Sequence, residues 1–180
     1  YKERGKNLFL DTVITPLKKG HMVREYLNFL KKMGLSIYDE DLTLNINKNA
    51  KKSIESFLKK QGINNTNILI GMNTGGSWET KRWSQDKFAQ LSDLIQKELE
   101  AKIVFTGGSN DVNRVNNILN LMETEAISAA GKTNLKELKA LLKKCDCVIS
   151  GDTGPVHVAA AVGTPTLAIF GPSDETRYKP

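Results

Sequence analysis

Cysteine and histidine are both scarce in this chain of 180 residues, which contains two of each. Cys145 and Cys147 are separated by a single residue, and the ring that a bridge between them would close is too short for ordinary disulfide geometry. A zinc site would need further cysteine or histidine ligands nearby in the sequence, and there are none. We therefore expect two buried, reduced thiols in a cytosolic protein.

Long apolar runs and a leader segment are also missing. The most apolar stretch, 155–170, is interrupted by polar residues, glycine and proline, so it cannot span a bilayer. No basic segment followed by an apolar one opens the chain, and its first residue is not Met, so we read it as an excerpt of a longer protein. Hydrophobic residues make up 39% and charged residues 26%, which excludes a disordered chain and allows one domain, or one domain and part of another.

The excess positive charge is concentrated in the first half of the chain. Residues 1–90 carry 16 basic and 9 acidic side chains, whereas residues 91–180 carry 10 and 11. Lysine pairs at 18–19, 31–32, 51–52 and 59–60 have helix-like spacing, and a solvated helix face explains them most simply. The alternative is a surface that attracts an anionic membrane. Nucleic acid is the weaker alternative, because no platform of aromatic and arginine residues accompanies the lysines.

The first 64 residues predict few elements. Apolar residues indicate a strand at 7–14, a helix at 21–33, a short strand at 42–46 and a second helix at 50–60. The asparagine-rich segment 64–67 is typical of a linker. We therefore expect a domain boundary between residues 64 and 65.

From residue 68 onward, strands and helices alternate regularly. Short apolar strands are predicted at 68–72, 103–106, 126–128, 147–150 and 167–170, with a helix after each of the first four. Such alternation with short loops requires parallel pairing, right-handed crossovers and helices on both faces of the sheet. The sequence predicts an α/β fold, a Rossmann-like doubly wound parallel sheet over residues 65–180. The helix after the strand at 68–72 begins at Ser84, a good N-cap, and its predicted inner face consists of Phe88, Leu91, Leu94, Ile95 and Leu99.

Three polar or glycine-rich loops follow strands of this sheet, at 74–81, 107–111 and 152–154. In doubly wound sheets ligands bind beyond the carboxyl ends of the strands, so these loops should meet at one crevice. Their glycines (Gly75, Gly76, Gly107, Gly108 and Gly154) would let the backbone approach a ligand, and helix N-termini attract anions. With the cation of Lys81, this arrangement is suited to a diphosphate. The alternative is that the glycines only form turns.

Several known motifs do not fit these loops. The segment Gly71–Gly76 lacks the Lys-Ser/Thr that completes a P-loop, and Gly107-Gly108 is not the dinucleotide fingerprint. The triplet Asp152-Thr153-Gly154 occurs in aspartic proteases, but there it belongs to an all-β fold, and here it leads into a helix.

The segment Ser150-Gly-Asp-Thr-Gly-Pro-Val-His157, together with Thr80-Lys-Arg-Trp83 and Phe170-Gly-Pro-Ser-Asp174, resembles glycosyltransferase family nine. These are the heptosyltransferases that build the inner core of lipopolysaccharide. The resemblance extends over about residues 8–174 and is strongest from 68 onward. It implies a GT-B fold, in which two Rossmann-like domains face a cleft. Residues 1–64 would then be the tail of the acceptor domain and a connector, and residues 65–180 most of the nucleotide-sugar-binding domain.

The resemblance also implies a function and a set of residues. The donor would be ADP-heptose, and transfer would invert the anomeric carbon with no essential metal. Lys81 would stabilise the leaving diphosphate, and the other residues expected to bind the donor are Ser77, Asp111, Thr133, Asp152, Thr153, Gly154 and His157. Taken on their surroundings alone, His157 could instead be a core histidine and Asp152 a helix cap.

The family's general base and lipid acceptor site belong to the N-terminal domain, so residues 1–180 alone are expected to be inactive. The acceptor would be of the lipid A–Kdo type, which implies a cytoplasmic enzyme with peripheral contact at the inner membrane and no nucleic-acid partner. Two alternatives remain open: a GT-B transferase for another nucleoside diphosphate sugar, and a non-catalytic nucleotide-binding module.

Overall fold

The structure is a computed structural model that describes residues 20–37, 42–76 and 78–180. The strand predicted at 7–14 and the candidate residue Ser77 lie outside these described residues. The chain divides into two compact units. The first ends at Asp41 and includes Thr176–Tyr178, and the second comprises Leu42–Glu175 and Lys179–Pro180.

The first unit contains helix α1 (Met22–Lys32), which confirms the helix predicted at 21–33. The helix begins at His21, whose Nδ1 accepts a hydrogen bond from the N–H of Val23 at 3.2 Å. In its first turn, Glu25 forms an ion pair with Arg177, with 2.7 Å between the Arg177 guanidinium nitrogen and Glu25 Oε2. This ion pair links α1 to the C-terminal turn within the same unit.

The second unit is built on a five-stranded sheet whose pairings are all parallel. In chain order the strands are β1 (Leu69–Asn73), β2 (Lys102–Thr106), β3 (Ile127–Ser128), β4 (Cys147–Gly151) and β5 (Thr166–Ile169). Their order across the sheet is β3-β2-β1-β4-β5, so the winding reverses between β1 and β4. This confirms the predicted doubly wound parallel sheet.

Five longer helices cover the two faces of this sheet: α2 (Lys48–Lys60), α3 (Gln85–Leu99), α4 (Val112–Leu121), α5 (Leu135–Lys144) and α6 (Gly154–Ala161). Buried residues of α3 and α4 pack with Ile70 and Phe105 on one face, and those of α2, α5 and α6 pack with Leu69 and Val104 on the other. The alternation of neighbouring strand residues between the two clusters follows from the twofold side-chain period of a strand. No helix in the described ranges is long and apolar enough to cross a membrane.

Two local predictions are wrong. Residues 42–46 form no strand, because Leu44 donates its N–H to the carbonyl of Ala161 at the end of α6, and a helix end offers no ladder of partners. In α3 the buried residues are Phe88, Ala89, Ser92 and Asp93, whereas Leu94 and Leu99 are more than half exposed. The helix is turned because Asp93 accepts hydrogen bonds from the N–H groups of Glu123 and Thr124 after α4, which draws the carboxylate inward.

The central strand passes very close to the end of α5. A Cβ on Gly71 would lie 3.0 Å from Cys145 Sγ and 3.3 Å from Val148 Cγ2, so a side chain there would require these neighbours to move by a few tenths of an ångström. Both cysteines are free thiols, as expected, although Cys147 is only half-buried. Burial raises the pKa of both thiols above its ordinary value, so they remain protonated at neutral pH.

Candidate functional site

A cavity of about 560 Å³ opens at the carboxyl ends of β1, β2 and β4, where the winding of the sheet reverses. This is the position at which doubly wound folds bind ligands. All three predicted loops contribute to its wall, and the segment before and at the start of α5 contributes as well. The residues of the wall include Asn73, Gly75, Arg82, Gly107, Asp111, Thr133, Leu135, Leu138, Thr153 and Gly154.

The floor of the cavity is organised by Asn73, the last residue of β1, which is only 2% exposed. Its side-chain nitrogen donates to Ser150 Oγ at 3.1 Å and to Thr153 Oγ1 at 3.0 Å. The Thr106 hydroxyl lies 3.5 Å from Asn73 Oδ1, at the hydrogen-bonding limit. One amide therefore joins the ends of β1 and β4 to the residue that precedes α6.

Two arginines hold the loop that follows β1. Arg114 of α4 donates through Nε to the carbonyl of Thr74 at 3.0 Å and also to the carbonyl of Trp83. Arg82 donates through Nε to the carbonyl of Gly76 at 2.9 Å. Burial, and next the positive charge of Arg82, lower the pKa of the Arg114 guanidinium from its ordinary value. Two guanidinium groups thus support one loop, and Arg82 is also ion-paired with Glu79, with 3.0 Å between Arg82 Nη1 and Glu79 Oε2.

Asp111 closes the turn after β2. Its Oδ2 accepts the N–H of Gly108 at 2.9 Å, and the residue immediately precedes α4. A Cβ on Gly107 would lie only 2.7 Å from the Asp111 Cβ, and a Cβ on Gly75 would lie 3.3 Å from both carboxylate oxygens. The glycines at 75 and 107 therefore make room for Asp111 against two loops.

The backbone of the crevice glycines does not require glycine. Among the described residues, the glycines with positive φ are Gly20, Gly34, Gly62, Gly131 and Gly163, and none of the five predicted to approach a ligand is among them. Turn geometry therefore does not account for those five. At Gly154 an added Cβ would meet nothing within 4 Å among the described residues, so the surrounding protein does not exclude a side chain there either.

The N-terminus of α6 differs from that of its neighbour α5. Helix α5 is capped at its N-terminus by a capping box in which the Asn134 side chain accepts hydrogen bonds from the N–H groups of Lys136 and Glu137. Helix α6 starts after Thr153, and no side chain in the described part of the chain caps it. Its positive dipole end faces the cavity at Thr153, Gly154 and Pro155, which makes it the helix end best placed to receive an anion.

Lys81 and Asp152 form an ion pair beside this helix end, with 2.8 Å between Lys81 Nζ and Asp152 Oδ2. Burial opposes ionisation of Asp152, but the hydrogen bond and positive charge of Lys81 outweigh it, so the pKa of the carboxyl lies below its ordinary value. The charge of His157 acts in the same direction, which places this residue close to Asp152. His157 is exposed, so it is not a core histidine, and Asp152 does not cap α6.

The structure thus brings most of the predicted site residues to one end of the sheet. Asp111, Thr133, Thr153 and Gly154 line the cavity, whereas Lys81, Asp152 and His157 form a group beside it and do not line it. Among the described residues, no three His, Cys, Asp or Glu side chains are close enough to hold a metal ion. Sequence reasoning did not single out Asn73, Arg82 or Arg114. Arg82 lies inside the quoted motif Thr80–Trp83 and Asn73 inside the segment Gly71–Gly76, but nothing in the local sequence marks Arg114.

Similarity to solved structures defines the class of protein. The chain superposes on a crystal structure of a family 9 glycosyltransferase from Veillonella parvula with a TM-score of 0.87 and 33% identity, over 96% of this chain and 51% of that one. It also matches the structure of the E. coli heptosyltransferase WaaC with ADP, with a TM-score of 0.66 and 20% identity over 95% of this chain. The fold is therefore that of a domain of the GT-B glycosyltransferases.

Sequence comparison gives the family. A family model described as glycosyltransferase family 9 (heptosyltransferase) matches residues 1–180, and the chain belongs to that family. Lipopolysaccharide heptosyltransferase 3 of E. coli K12 is 29% identical over 171 residues, which is 94% of this chain and 49% of that protein. The core heptosyltransferase OpsX of Haemophilus influenzae is 26% identical over 177 residues, or 98% of this chain and 50% of that protein. The chain thus spans about half the length of these curated relatives.

Proposed function

We propose that this chain supplies the donor-binding half of an inverting heptosyltransferase, which moves heptose from ADP-heptose to the inner core of lipopolysaccharide. One observation carries the proposal: three loops and the uncapped N-terminus of α6 meet around one cavity at the reversal point of a family 9 fold. Structures of E. coli heptosyltransferase WaaC with ADP and with ADP-2-deoxy-2-fluoro heptose support an ADP-sugar as the donor.

In this proposal the diphosphate lies against α6. The backbone at Thr153 and Gly154 donates to phosphate oxygens, and the helix dipole adds to that attraction. Asp152 keeps the ammonium of Lys81 beside this helix end. As the bond between the anomeric carbon and the diphosphate breaks, negative charge builds up on the departing ADP, and both groups stabilise it.

The nucleoside occupies the other side of the cavity. Asp111, on the turn after β2, binds the ribose, and Thr133, before α5, flanks the adenine. Both residues line the cavity, whose apolar wall includes Leu135 and Leu138 of α5. Ser77 is proposed as a further phosphate contact, and His157 as part of the donor motif beside Asp152.

The domain assignment forms part of the proposal. Residues 65–180 are the nucleotide-sugar-binding domain, and residues 1–64 are the tail of the acceptor domain and a connector. Helix α2 precedes that boundary and packs on α5, as expected of a connector that ends against the donor domain. The general base and the lipid A–Kdo acceptor site come from a further domain, so residues 1–180 alone bind the donor and transfer no sugar.

Calorimetric titration with ADP, UDP and GDP tests the donor. We expect ADP to bind most tightly, and we expect Lys81→Ala to weaken its binding about 10- to 150-fold, because a charge-assisted contact contributes about 1.5–3 kcal/mol. The matched control is Lys97→Ala. Lys97 lies on α3, outside the cavity wall, and is ion-paired with Glu123.

Each alternative predicts a different result. Preference for UDP or GDP would mean another sugar nucleotide. Equal weakening by both lysine variants would remove Lys81 from the site. A non-catalytic module would bind ADP but transfer no heptose to a lipid A–Kdo acceptor even when joined to the upstream domain, and turnover by residues 1–180 alone would contradict the proposed division between domains.

A further inference from the structure

The positive charge of the second unit lies mainly on one helical layer. Helices α2 and α5 pack against each other and together carry nine lysines and two glutamates, a net charge of +7. On the opposite face of the sheet, α3 and α4 carry three basic and three acidic residues and are neutral together. The excess charge is therefore a property of one face and is not spread over the domain.

Each of the two glutamates of this layer contacts a residue of the other helix. Glu137 Oε1 accepts a hydrogen bond from the Ser53 hydroxyl at 2.8 Å, and Glu55 Oε1 lies 3.1 Å from Lys144 Nζ. Both carboxylates therefore help to join α2 to α5. They leave the outward-facing lysines of the layer without a compensating acid on the same two helices.

Seven of the nine lysines are exposed: Lys48, Lys51, Lys52, Lys59, Lys60, Lys136 and Lys143. None of them forms an ion pair with a carboxylate within the ranges that the structure describes. In α2 the buried stripe consists of Ala50, Ile54 and Leu58. Lys48, Lys52 and Lys59 follow the helical period on the side away from that stripe, so they point outward together. We call the exposed sides of α2 and α5 the basic face.

The chemistry of the basic face favours a lipid surface over nucleic acid. Its cations are all lysines, whose ammonium groups act as point charges and lack the planar fork with which arginine grips phosphates and stacks on bases. The same helix α5 contributes Leu135 and Leu138 to the cavity, so the basic face borders the crevice. Docking through this face would hold the crevice at the edge of a bilayer.

We propose that the basic face of α2 and α5 docks on an anionic phospholipid bilayer and holds the donor site next to a membrane-embedded acceptor. The reason for such docking rests on the proposed function, since only an acceptor anchored in lipid requires the enzyme at the surface. The attraction is electrostatic and reversible: each lysine near an anionic surface strengthens binding about fivefold, and salt screens the effect.

Co-sedimentation of the purified protein with vesicles tests the proposal. We expect binding to vesicles in which phosphatidylglycerol replaces about a third of the phosphatidylcholine, and no binding to phosphatidylcholine alone. The variant Lys48→Gln/Lys52→Gln/Lys59→Gln should reduce the partition coefficient on the order of 100-fold. The matched control, Lys87→Gln/Lys97→Gln/Lys102→Gln, removes the same charge from exposed positions outside the basic face and should bind nearly as the parent does.

The outcomes separate this proposal from its alternatives and from the proposed function. Equal loss of vesicle binding in both triple variants would mean attraction by net charge alone, and no binding to the anionic vesicles would also overturn the proposal. Binding to a nucleic-acid duplex at a salt concentration that abolishes vesicle binding would indicate a nucleic-acid surface. ADP affinity measured on the same samples should be unchanged by either triple variant. Failure of ADP to bind any sample would refute the donor assignment while leaving the vesicle result valid.

Discussion

The variant Gly154→Ala should show whether Gly154 is required for folding stability or for binding of the donor. Gly154 begins α6, its φ is not positive, and a Cβ there would meet nothing within 4 Å among the described residues. The substitution therefore adds a methyl group to open space at the wall of the cavity. If the glycine is needed for close approach of a diphosphate, the added methyl group affects only the bound state.

We expect this substitution to increase the stability of the free protein and to weaken its binding of ADP. Gly→Ala at a compatible backbone position stabilises a protein by about 0.4–1 kcal/mol through the entropy of the unfolded chain. For a chain of this length that raises Tm by about 1–4 °C. In the complex, the methyl group separates the phosphate from the backbone N–H, and loss of one such charged hydrogen bond costs about 1.5–3 kcal/mol. The Kd for ADP should therefore rise about 10- to 150-fold.

Thermal unfolding and calorimetric titration of the same variant measure both quantities. The matched control is Gly107→Ala, whose Cβ would lie 2.7 Å from the Asp111 Cβ and must displace that residue. This control should lower Tm and weaken ADP binding together. The reasoning is refuted if Gly154→Ala binds ADP as the parent does, because the glycine would then serve no ligand. A fall in Tm for Gly154→Ala would also refute it, because the fold would then require glycine.

Three further predictions follow from buried polar groups. Asn73→Ala should lower the free energy of unfolding by about 1–3 kcal/mol in urea and weaken ADP binding, because Ser150 and Thr153 lose their shared donor; an effect on stability alone would make Asn73 purely structural. Burial opposes ionisation of Asp93, but hydrogen bonds from Thr124 and Glu123 lower its pKa below the ordinary 3.8. The contribution of the Asp93 carboxylate to the free energy of unfolding is therefore complete above pH 3.8 and is lost as the pH falls through the folded pKa. Asp93→Asn should accordingly flatten the acid limb of the stability profile, and an unchanged limb would contradict the assignment. Because Cys145 is buried and burial raises the pKa of both thiols, iodoacetamide should not label Cys145 at neutral pH until urea unfolds the chain, and should label the half-buried Cys147 more slowly than in the unfolded chain, as mass spectrometry would detect.

The sheet could be predicted because its strands are short, continuous apolar runs. In β1 and β2 the observed bounds differ from the predicted ones by about one residue. The wrong predictions depend on partners that local pattern does not reveal. The apolar residues of α3 suggested an inner face containing Leu94, but Asp93 is drawn inward by residues 30 positions further along the chain.

The site shows the same division. The three loops were expected at the carboxyl ends of the strands because a parallel sheet places them there, and the cavity wall includes residues of all three. The contacts that organise them connect distant parts of the chain: Asn73 reaches Thr153 across 80 residues, and Arg114 reaches Thr74 across 40. Nothing in the local sequence indicates that one buried amide joins two strands to a helix, because its hydrogen-bond partners exist only after folding.

The close approach of β1 to Cys145 has a consequence for how homologous sequences vary. The space next to Gly71 is filled by the Cys145 sulfur and a Val148 methyl group. A larger side chain at position 71 should therefore require a smaller one at position 145. Gly71→Ala alone should be destabilising, because the Cys145 sulfur must move by a few tenths of an ångström, whereas Gly71→Ala/Cys145→Ala should recover much of the loss, giving a coupling of about 0.5–3 kcal/mol in a double-mutant cycle. Alignments of the family should accordingly show larger residues at position 71 in company with smaller ones at 145, a correlated pair that reports packing beneath the sheet and carries no information about the donor.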